Sequence, residues 1–270
     1  MAKVTVIFIV FLMALAGHVD ARSVSHCYSW GSFKGITGRE PDPCNDDTIA
    51  YYKFDRSYRD VCFGNNGFSG NIFQKFWKLG ISNAAANFAN TNYQISIPSL
   101  NSYEWGSTFS ISLWFQTGQY VTRQQGGLIN NFNVTTTNAS IANETHTVTT
   151  GSWDIFLKKG EIEEQRIIGA TIVTSHANKT WDDIAVIRAH HWYHLAMTYD
   201  GETINFYLNN HLVLSDSQCC HGDIVSTHTD VVIGRNYNEG SFNGYIDELK
   251  LFKKALTSQE ITKLYQLKVV

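Results

Sequence analysis

The chain alternates apolar and polar residues with a period of two over many short stretches, and helical periodicity is nearly absent. β-Branched and aromatic residues are concentrated in these stretches, and Gly, Asn and Asp separate them, which is the pattern of β-strands joined by turns. Many short strands of this kind predict a sandwich or a barrel. The predicted strands cover residues 49–54, 93–97, 109–116, 153–157, 167–173, 192–199, 203–208, 231–233 and 244–252.

Two local signals add a hairpin and a helix to this pattern. Asn209 and Asn210 separate two apolar runs, and because Asn tolerates positive φ, the pair predicts a two-residue β-hairpin. Near the end of the chain, Thr257 and Glu260 have the spacing of a capping box and precede apolar residues at helical spacing. We therefore expect one short C-terminal helix that covers an edge or an end of the β-structure.

The N-terminus has the features of a secretory signal peptide. Lys3 supplies the positive charge, and the apolar run 4–16 that follows is too short to span a bilayer core of about 30 Å. Small residues allow cleavage after Ala16 or, as we favour, after Ala21, which makes residues 1–21 the signal peptide. The mature protein is therefore expected to be soluble, secreted and extracellular.

Length and charge indicate one domain and restrict its partners. After the signal peptide, residues 22–48 form an N-terminal extension, and residues 49–270 have the length of a single large β-domain. The formal net charge is −3, and Lys and Arg do not cluster into a basic stripe, so nucleic acid is an unsuitable partner. No later segment has the roughly 20 apolar residues that a membrane-spanning helix needs.

Five cysteines in an exported chain favour disulfides over metal ligands, since the extracellular space is oxidising. Cys27 and Cys44 bracket a Gly- and Pro-containing segment and could form a local staple. Cys62 would then pair with Cys219 or Cys220. The remaining cysteine of that adjacent pair would be free, capped or joined to another chain, which leaves a disulfide-linked oligomer open.

Four N-glycosylation sequons agree with export. Three of them fall in a segment rich in Thr and Asn, residues 130–150, which has little hydrophobic pattern and therefore predicts an exposed loop. The candidate sites are Asn133, Asn138, Asn143 and Asn178.

Several segments together resemble one family over nearly the whole mature chain. They are 49–55, the Gly-Asn-Asn-Gly turn at 64–67, the strand 109–115, the run His-Trp-Tyr-His at 191–194 with the residues after it, and the closing strand 242–252. Their order and spacing resemble the laminin-G-like and pentraxin-like branch of the concanavalin A-like lectins and glucanases. The resemblance implies an all-β jelly roll, a two-sheet antiparallel β-sandwich with one short C-terminal helix.

The same resemblance implies a possible calcium site, because many members of this class hold calcium ions through carboxylates and carbonyl oxygens. If the first and last strands pair, Asp55 and Asp247 converge, and Asp60 with nearby backbone carbonyls completes the shell. The sequence departs from the family pattern at Ala89 and Tyr93, where acidic residues are frequent, and this places a calcium-dependent ligand site near that loop in doubt.

Aromatic residues are the candidate ligand contacts, because exposed rings can stack on sugar faces. They make up 13% of the chain, so most must lie in the core. Trp114 and Trp192 match family strands and are expected to be buried. Four aromatic residues near predicted loops are the candidate ligand-binding residues: Trp105, Trp181, Tyr237 and Phe242.

Catalytic motifs of the related enzymes are missing from the sequence. The paired carboxylates of the retaining β-glucanases would appear as Glu-x-Asp-x-x-Glu or Glu-x-Asp-x-Glu, and neither occurs. We therefore predict no enzyme activity but a lectin-like module that binds glycans or matrix proteins, with calcium as a candidate cofactor. The alternatives are a structural component of the extracellular matrix without sugar binding and a glycoside hydrolase-like enzyme.

Overall fold

The computed structural model describes residues 43–69, 81, 84–88, 93–118, 125–138, 145–236 and 240–266, which all fall in one compact unit, Thr37–Val270. The described residues contain thirteen β-strands, one turn of 3-10 helix (Pro98–Leu100) and one α-helix, α1 (Ser258–Gln266). The strands are β1 (Thr48–Tyr52), β2 (Ala86–Asn87), β3 (Ile95–Ile97), β4 (Phe109–Thr117), β5 (Gln125–Asn138), β6 (Thr145–Lys159), β7 (Gln165–Val173), β8 (Asn178–Arg188), β9 (Trp192–Tyr199), β10 (Ile204–Leu208), β11 (His211–Asp216), β12 (Val231–Ile233) and β13 (Gly244–Phe252).

These strands form two antiparallel sheets. Sheet A has the order β1-β13-β4-β9-β10-β11, with β2 also paired to β13, and sheet B has the order β3-β12-β5-β6-β7-β8. The first strand therefore pairs with the last one, as the family resemblance implied. The predicted fold class, an antiparallel β-sandwich with one short C-terminal helix, is confirmed.

The core lies between the two sheets and follows from the period of two in the sequence. In β4 every second residue from Phe109 to Phe115 is fully buried in the core cluster, and Trp153 begins a similar series in β6. The rings of Trp105, Phe109 and Trp153 pack against one another at centroid distances of 4.9–5.2 Å. Burying one such side chain stabilises a fold by roughly 1.5–3 kcal/mol.

The loop predicted over residues 130–150 is wrong, because most of this segment is β-strand. β5 pairs with β6 from Gln125 to Asn138. Beyond Asn130, however, β5 pairs with no other strand, and β6 joins β7 only from Trp153 onward. The described part is therefore a two-stranded ribbon that extends past the sandwich. Its sequence lacks apolar alternation, the signal by which a strand is recognised, whereas its β-branched Thr residues favour the extended backbone.

Strand β8 was not predicted, because its buried residues do not follow a period of two. Trp181, Ile184 and Ile187 are buried and are spaced three residues apart. The register of β8 against β7 shifts between Ile168 and Ala170. Such a bulge places an extra residue in one strand and disrupts the alternation that identifies a strand in sequence.

The hairpin and the helix signals are both confirmed. Asn209 and Asn210 have φ values of 49° and 68° and join β10 to β11. The Thr257 backbone N–H donates to the Glu260 carboxylate at 2.9 Å, and Glu260 N–H donates to Thr257 Oγ1 at 3.3 Å, so the capping box is present. Among the described residues no helix is long and apolar enough to cross a membrane.

The helix lies on the outer face of sheet A, which corrects the expectation that it covers an edge or an end. Ile261 is fully buried in a small cluster with Ala196, Phe252 and Leu256. Phe252 lies in β13 and Ala196 in β9. Their neighbours in each strand belong to the main core, so these two side chains point to the opposite, outer face of the sheet. This second, smaller hydrophobic layer holds α1 against the sheet.

The disulfides differ from both predicted pairings. Cys44 bonds to Cys62 rather than to Cys27, and Cys219 bonds to its neighbour Cys220 rather than to Cys62. The loop after β1 folds back along this strand, where Val61 N–H donates to Tyr51 O at 2.8 Å and Asn65 Nδ2 donates to Ile49 O at 3.0 Å. This return brings Cys62 to the segment before β1, which sequence spacing did not reveal. The odd cysteine is therefore Cys27, which lies outside the described residues, and an intermolecular bond through Cys219 or Cys220 is not supported.

Candidate functional site

Asp60, a predicted metal ligand, organises the loop that follows β1. Its Oδ1 accepts hydrogen bonds from the backbone N–H groups of Tyr51 and Cys62, at 2.9 and 3.0 Å. Its Oδ2 accepts from Phe63 and Asn65, at 2.9 and 3.1 Å. The side chain is 8% exposed. Both oxygens thus satisfy backbone donors that the loop would otherwise leave unpaired.

The other two predicted ligands converge on one short segment, but they bind its backbone. Asp55 Oδ1 accepts from the N–H of Ala84 at 3.1 Å, and Asp247 Oδ2 accepts from the N–H of Ile81 at 2.6 Å. Asp247 Oδ1 also accepts from the N–H of Glu248 at 3.0 Å. The expected approach of the first and last strands therefore brings these carboxylates to the backbone of Ile81 and Ala84, where they act as acceptors.

These three residues do not fit a calcium shell. Calcium takes six to eight oxygen ligands, and carboxylates contribute most when their oxygens are available. Here six hydrogen bonds from backbone N–H groups, four to Asp60 and two to Asp247, engage all four oxygens of these two carboxylates. In the part of the chain that the structure describes, no group of three or more His, Cys, Asp or Glu side chains could hold a metal ion.

The aromatic residues predicted as ligand contacts lie in the core. Trp105 and Phe242 are each 2% exposed, and Trp181 is 7% exposed. Trp105 packs on core rings, Phe242 packs on Phe88 at 5.9 Å, and Trp181 Nε1 donates to a carboxylate at 3.1 Å. Their ring faces are therefore not available to a ligand. Tyr237 lies outside the described residues.

A different set of side chains forms a row across the outer face of sheet A. Tyr245 of β13 is paired with Asn87 of β2 on one side and with Gln116 of β4 on the other, and Gln116 is paired with Trp192 of β9. Because Phe115 beside Gln116 is buried in the core, these four residues point away from it. We call Asn87, Tyr245, Gln116 and Trp192 the polar-aromatic row.

The geometry of this row suits contact with a flat polar ligand. Trp192, Tyr245 and Gln116 are each partly exposed, and the two ring centroids are 6.4 Å apart with an interplanar angle of 42°. The prediction that Trp192 is buried is therefore only partly right. The negative face of an aromatic ring attracts the polarised C–H groups of a sugar face, and a side-chain amide can both donate to and accept from hydroxyl groups.

A small recess lies next to the row, under α1. Within it, Ser112 Oγ is 2.9 Å from His194 Nε2, and Tyr265 of α1 stacks on Trp114 at a centroid distance of 5.5 Å. The residues that line the recess are Ser112, Trp114, His194, Glu248, Lys250 and Leu264.

Burial controls the charges in this recess. Burial, followed by the charge of Lys250, lowers the pKa of His194 to about 3, so the imidazole is neutral at physiological pH. Burial also lowers the pKa of Lys250, whose Nζ lies 4.2 Å from the centre of the Tyr51 ring. The Tyr51 hydroxyl donates to the Glu248 carboxylate, and burial followed by the charge of Glu248 raises the pKa of Tyr51.

The recess lacks two features of a hydrolytic centre. A serine nucleophile needs its histidine base to be oriented by an acid at the other ring nitrogen, and His194 Nδ1 has no hydrogen-bond partner among the described residues. The interior of the recess is also only about 10 Å³, which is roughly the room for one water molecule and far too small for a sugar ring. The Ser112–His194 pair is thus a buried polar contact that helps to seat α1.

A family model described as the concanavalin A-like lectin/glucanases superfamily matches residues 89–262, which include the strands from β3 to β13. The chain belongs to this superfamily. The match confirms the family that the motifs indicated. No curated protein sequence matches the chain.

Several solved structures share the fold of this chain. One is domain 4 of AbnA, a GH43 extracellular arabinanase from Geobacillus stearothermophilus, which was solved in complex with arabinotriose. It is 20% identical to this chain, with a TM-score of 0.56, and the match covers 82% of this chain and 98% of that domain. The botulinum neurotoxin serotype G binding domain is 19% identical with a TM-score of 0.54, over 82% of this chain and 51% of that one. The serotype D ligand-binding domain, solved with N-acetylneuraminic acid, is 13% identical with a TM-score of 0.55, over 82% and 51%. The chain spans about half the length of these toxin domains.

The superfamily includes glucanases, and glycosidases use a carboxylic acid with a raised pKa as a proton donor. Asp154 is the described carboxyl whose pKa is raised. Asp154 lies in β6 between two core residues and is 1% exposed. Burial raises its pKa to about 7, although Thr171 donates hydrogen bonds that lower it. The charge of the nearby Asp182, which binds Lys158 Nζ at 2.8 Å, contributes to this rise. A carboxyl this deeply enclosed does not reach a substrate, so it is not a candidate catalytic acid. The alternation of β6 predicts an outward position for Asp154 but gives no sign of its burial.

The predicted glycosylation sites lie in different environments. Asn133 and Asn138 belong to β5, in the ribbon, and Asn143 lies outside the described residues. Asn178 is exposed and begins β8. Asn178 therefore offers the accessible side chain that glycosylation requires.

Proposed function

We propose that this protein is an extracellular carbohydrate-binding module that holds a neutral glycan on the polar-aromatic row of sheet A. The observation that carries the proposal is the register of β2, β13, β4 and β9, which places two partly exposed rings on either side of an amide. The row contains no Asp, Glu, Lys or Arg, which favours a neutral ligand over a charged one.

Three further observations support this function. The superfamily contains lectins, and a bacterial domain of the same fold was solved with an arabinose trisaccharide. The two disulfides are typical of an oxidising compartment, which agrees with the signal peptide inferred from the sequence. Neither the recess nor Asp154 has the accessible acid pair of a glucanase, which favours binding over hydrolysis.

The test is a glycan array with the secreted protein, followed by calorimetric titration of the best neutral oligosaccharide. The variants Trp192→Leu and Tyr245→Leu keep apolar bulk on the sheet but remove the ring faces. Each should weaken binding roughly 5- to 150-fold, if a sugar stacked on the ring gains the roughly 1–3 kcal/mol that a nucleic-acid base gains on an aromatic side chain. The matched control is Phe68→Leu, which removes a 64% exposed ring elsewhere and should leave affinity unchanged.

Two results would reject this function. Full affinity in a folded Trp192→Leu, Tyr245→Leu double variant would show that the sugar binds elsewhere. An array without any bound glycan would favour a structural role in the extracellular matrix, and release of reducing sugar from a β-glucan would favour an enzyme.

A further inference from the structure

The bond between Cys219 and Cys220 does not act as a staple. A disulfide stabilises a fold mainly by closing a loop and restricting the unfolded chain. Cys44 and Cys62 are separated by 18 residues in sequence, whereas Cys219 and Cys220 are separated by one and close no loop of chain. The adjacent bond must therefore act locally, on the backbone of the segment between β11 and β12.

This bond lies where the chain enters the core. Cys220 is fully buried in the main hydrophobic cluster, and Cys219 is partly exposed and packs against the same cluster. Cys219 is thus the more exposed residue of the bonded pair. A disulfide with such an accessible side is open to attack by an external thiolate.

The residues directly after the bond connect the two sheets at one end of the sandwich. Gly222 N–H donates to Gly201 O at 3.0 Å, and the Tyr199 hydroxyl of sheet A donates to Gly222 O at 2.8 Å. Ser175 N–H, from the turn after β7 of sheet B, donates to Asp223 O at 2.8 Å. Position 222 has a φ of 84°, which glycine adopts without strain.

Two further residues complete this connection. Ile224 N–H donates to Gly106 O at 2.9 Å, and Val225 N–H donates to Val173 O at 2.9 Å. Ile224 is 3% exposed and belongs to the core cluster. Segment 219–225 therefore closes this end of the sandwich, and its backbone is fixed at one side by the disulfide.

We propose that the Cys219–Cys220 bond is a redox-sensitive latch that keeps segment 219–225 closed over this end of the sandwich. A dithiol reductant opens the latch. Its thiolate attacks Cys219 Sγ, forms a mixed disulfide and displaces the thiolate of Cys220, which takes up a proton. The second thiol of the reductant then releases Cys219, so the reductant leaves as a disulfide and the protein gains two hydrogen atoms.

Reduction should loosen the segment without unfolding the protein. The Cys220 thiol is a small hydrophobic group that can remain buried, whereas the Cys219 side chain becomes free to rotate. Local opening then breaks the hydrogen bonds of Gly222, Asp223 and Val225. Because these bonds protect backbone amides, their loss is measurable as faster hydrogen exchange confined to this end.

The experiment compares three variants of the full secreted chain, all carrying Cys27→Ser to remove the odd thiol. The first has no other change, the second adds Cys44→Ser and Cys62→Ser, and the third adds Cys219→Ala and Cys220→Ala. Each is analysed by intact mass and by hydrogen exchange before and after incubation with a dithiol. The second variant should gain two hydrogen atoms, and peptides covering 219–225 should exchange at least about tenfold faster.

The third variant should already exchange quickly in this segment and should not respond to the dithiol there. If the second variant does not fold, the first and third give the same comparison for peptides 219–225. Unchanged exchange of these peptides after proven reduction of Cys219 and Cys220 would overturn the latch. Free thiols at these two cysteines in the untreated protein would also overturn it. Neither readout depends on glycan binding.

Discussion

Replacing Asp154 by Asn should stabilise the protein at alkaline pH and leave it nearly unchanged in acid. In the folded protein burial raises the pKa of Asp154 to about 7, from an ordinary value of 3.8. Below pH 3.8 the carboxyl is protonated in both the folded and the unfolded chain. As pH rises from 3.8 to about 7, the unfolded chain loses the proton while the folded protein keeps it. The free energy of unfolding therefore falls through this interval and is constant above it.

The magnitude follows from the difference between the two pKa values. A difference of about three units at roughly 1.4 kcal/mol per unit gives about 4 kcal/mol at pH 8. At pH 4 the same relation gives less than about 1 kcal/mol. Asn resembles the protonated carboxyl in shape and does not titrate, so the variant should avoid this pH-dependent loss. For a domain of this size, about 4 kcal/mol corresponds to roughly 10 °C in the unfolding midpoint.

The assay is urea unfolding of the wild type and of Asp154→Asn at pH 4, 6 and 8. The difference between the two proteins is the informative quantity, because the other carboxylates titrate equally in both. Asp182→Asn is the matched control, since this exposed partner of Lys158 should contribute less than about 1 kcal/mol at any of these pH values. A difference for Asp154→Asn that is the same at pH 4 and pH 8 would refute the reasoning.

Two further predictions concern the carboxylates near β1. Asp60→Asn should lower the free energy of unfolding, measured with urea, by roughly 3–5 kcal/mol, because one carboxylate oxygen and its two charge-assisted hydrogen bonds are lost. The control is Asp46→Asn, which changes an exposed residue and should leave the free energy of unfolding nearly unchanged. The thermal midpoint should be the same in calcium and in EDTA, because the oxygens of Asp60 and Asp247 already accept backbone N–H groups; a calcium-dependent rise that disappears in Asp247→Ala would contradict this.

The candidate site was beyond sequence reasoning because it depends on strand register. Its members come from positions 87, 116, 192 and 245, and only the pairing of four strands makes them neighbours. Proximity to a predicted loop was a poor guide to exposure. Trp105 and Phe242 turn into the core, whereas Trp192 lies within a strand and remains partly exposed.

Local physics in the sequence determined the strands with a clean period of two, the Asn209–Asn210 turn and the capped helix, because each depends on neighbouring residues alone. Family motifs added the sandwich and the pairing of its first and last strands. Tertiary structure decided the rest. The ribbon of β5 and β6 and the bulged β8 have no simple alternation, and the Cys44–Cys62 bond reflects which chain segments meet in space. The hydrogen-bond partners of the buried carboxylates likewise come from segments that only folding brings together.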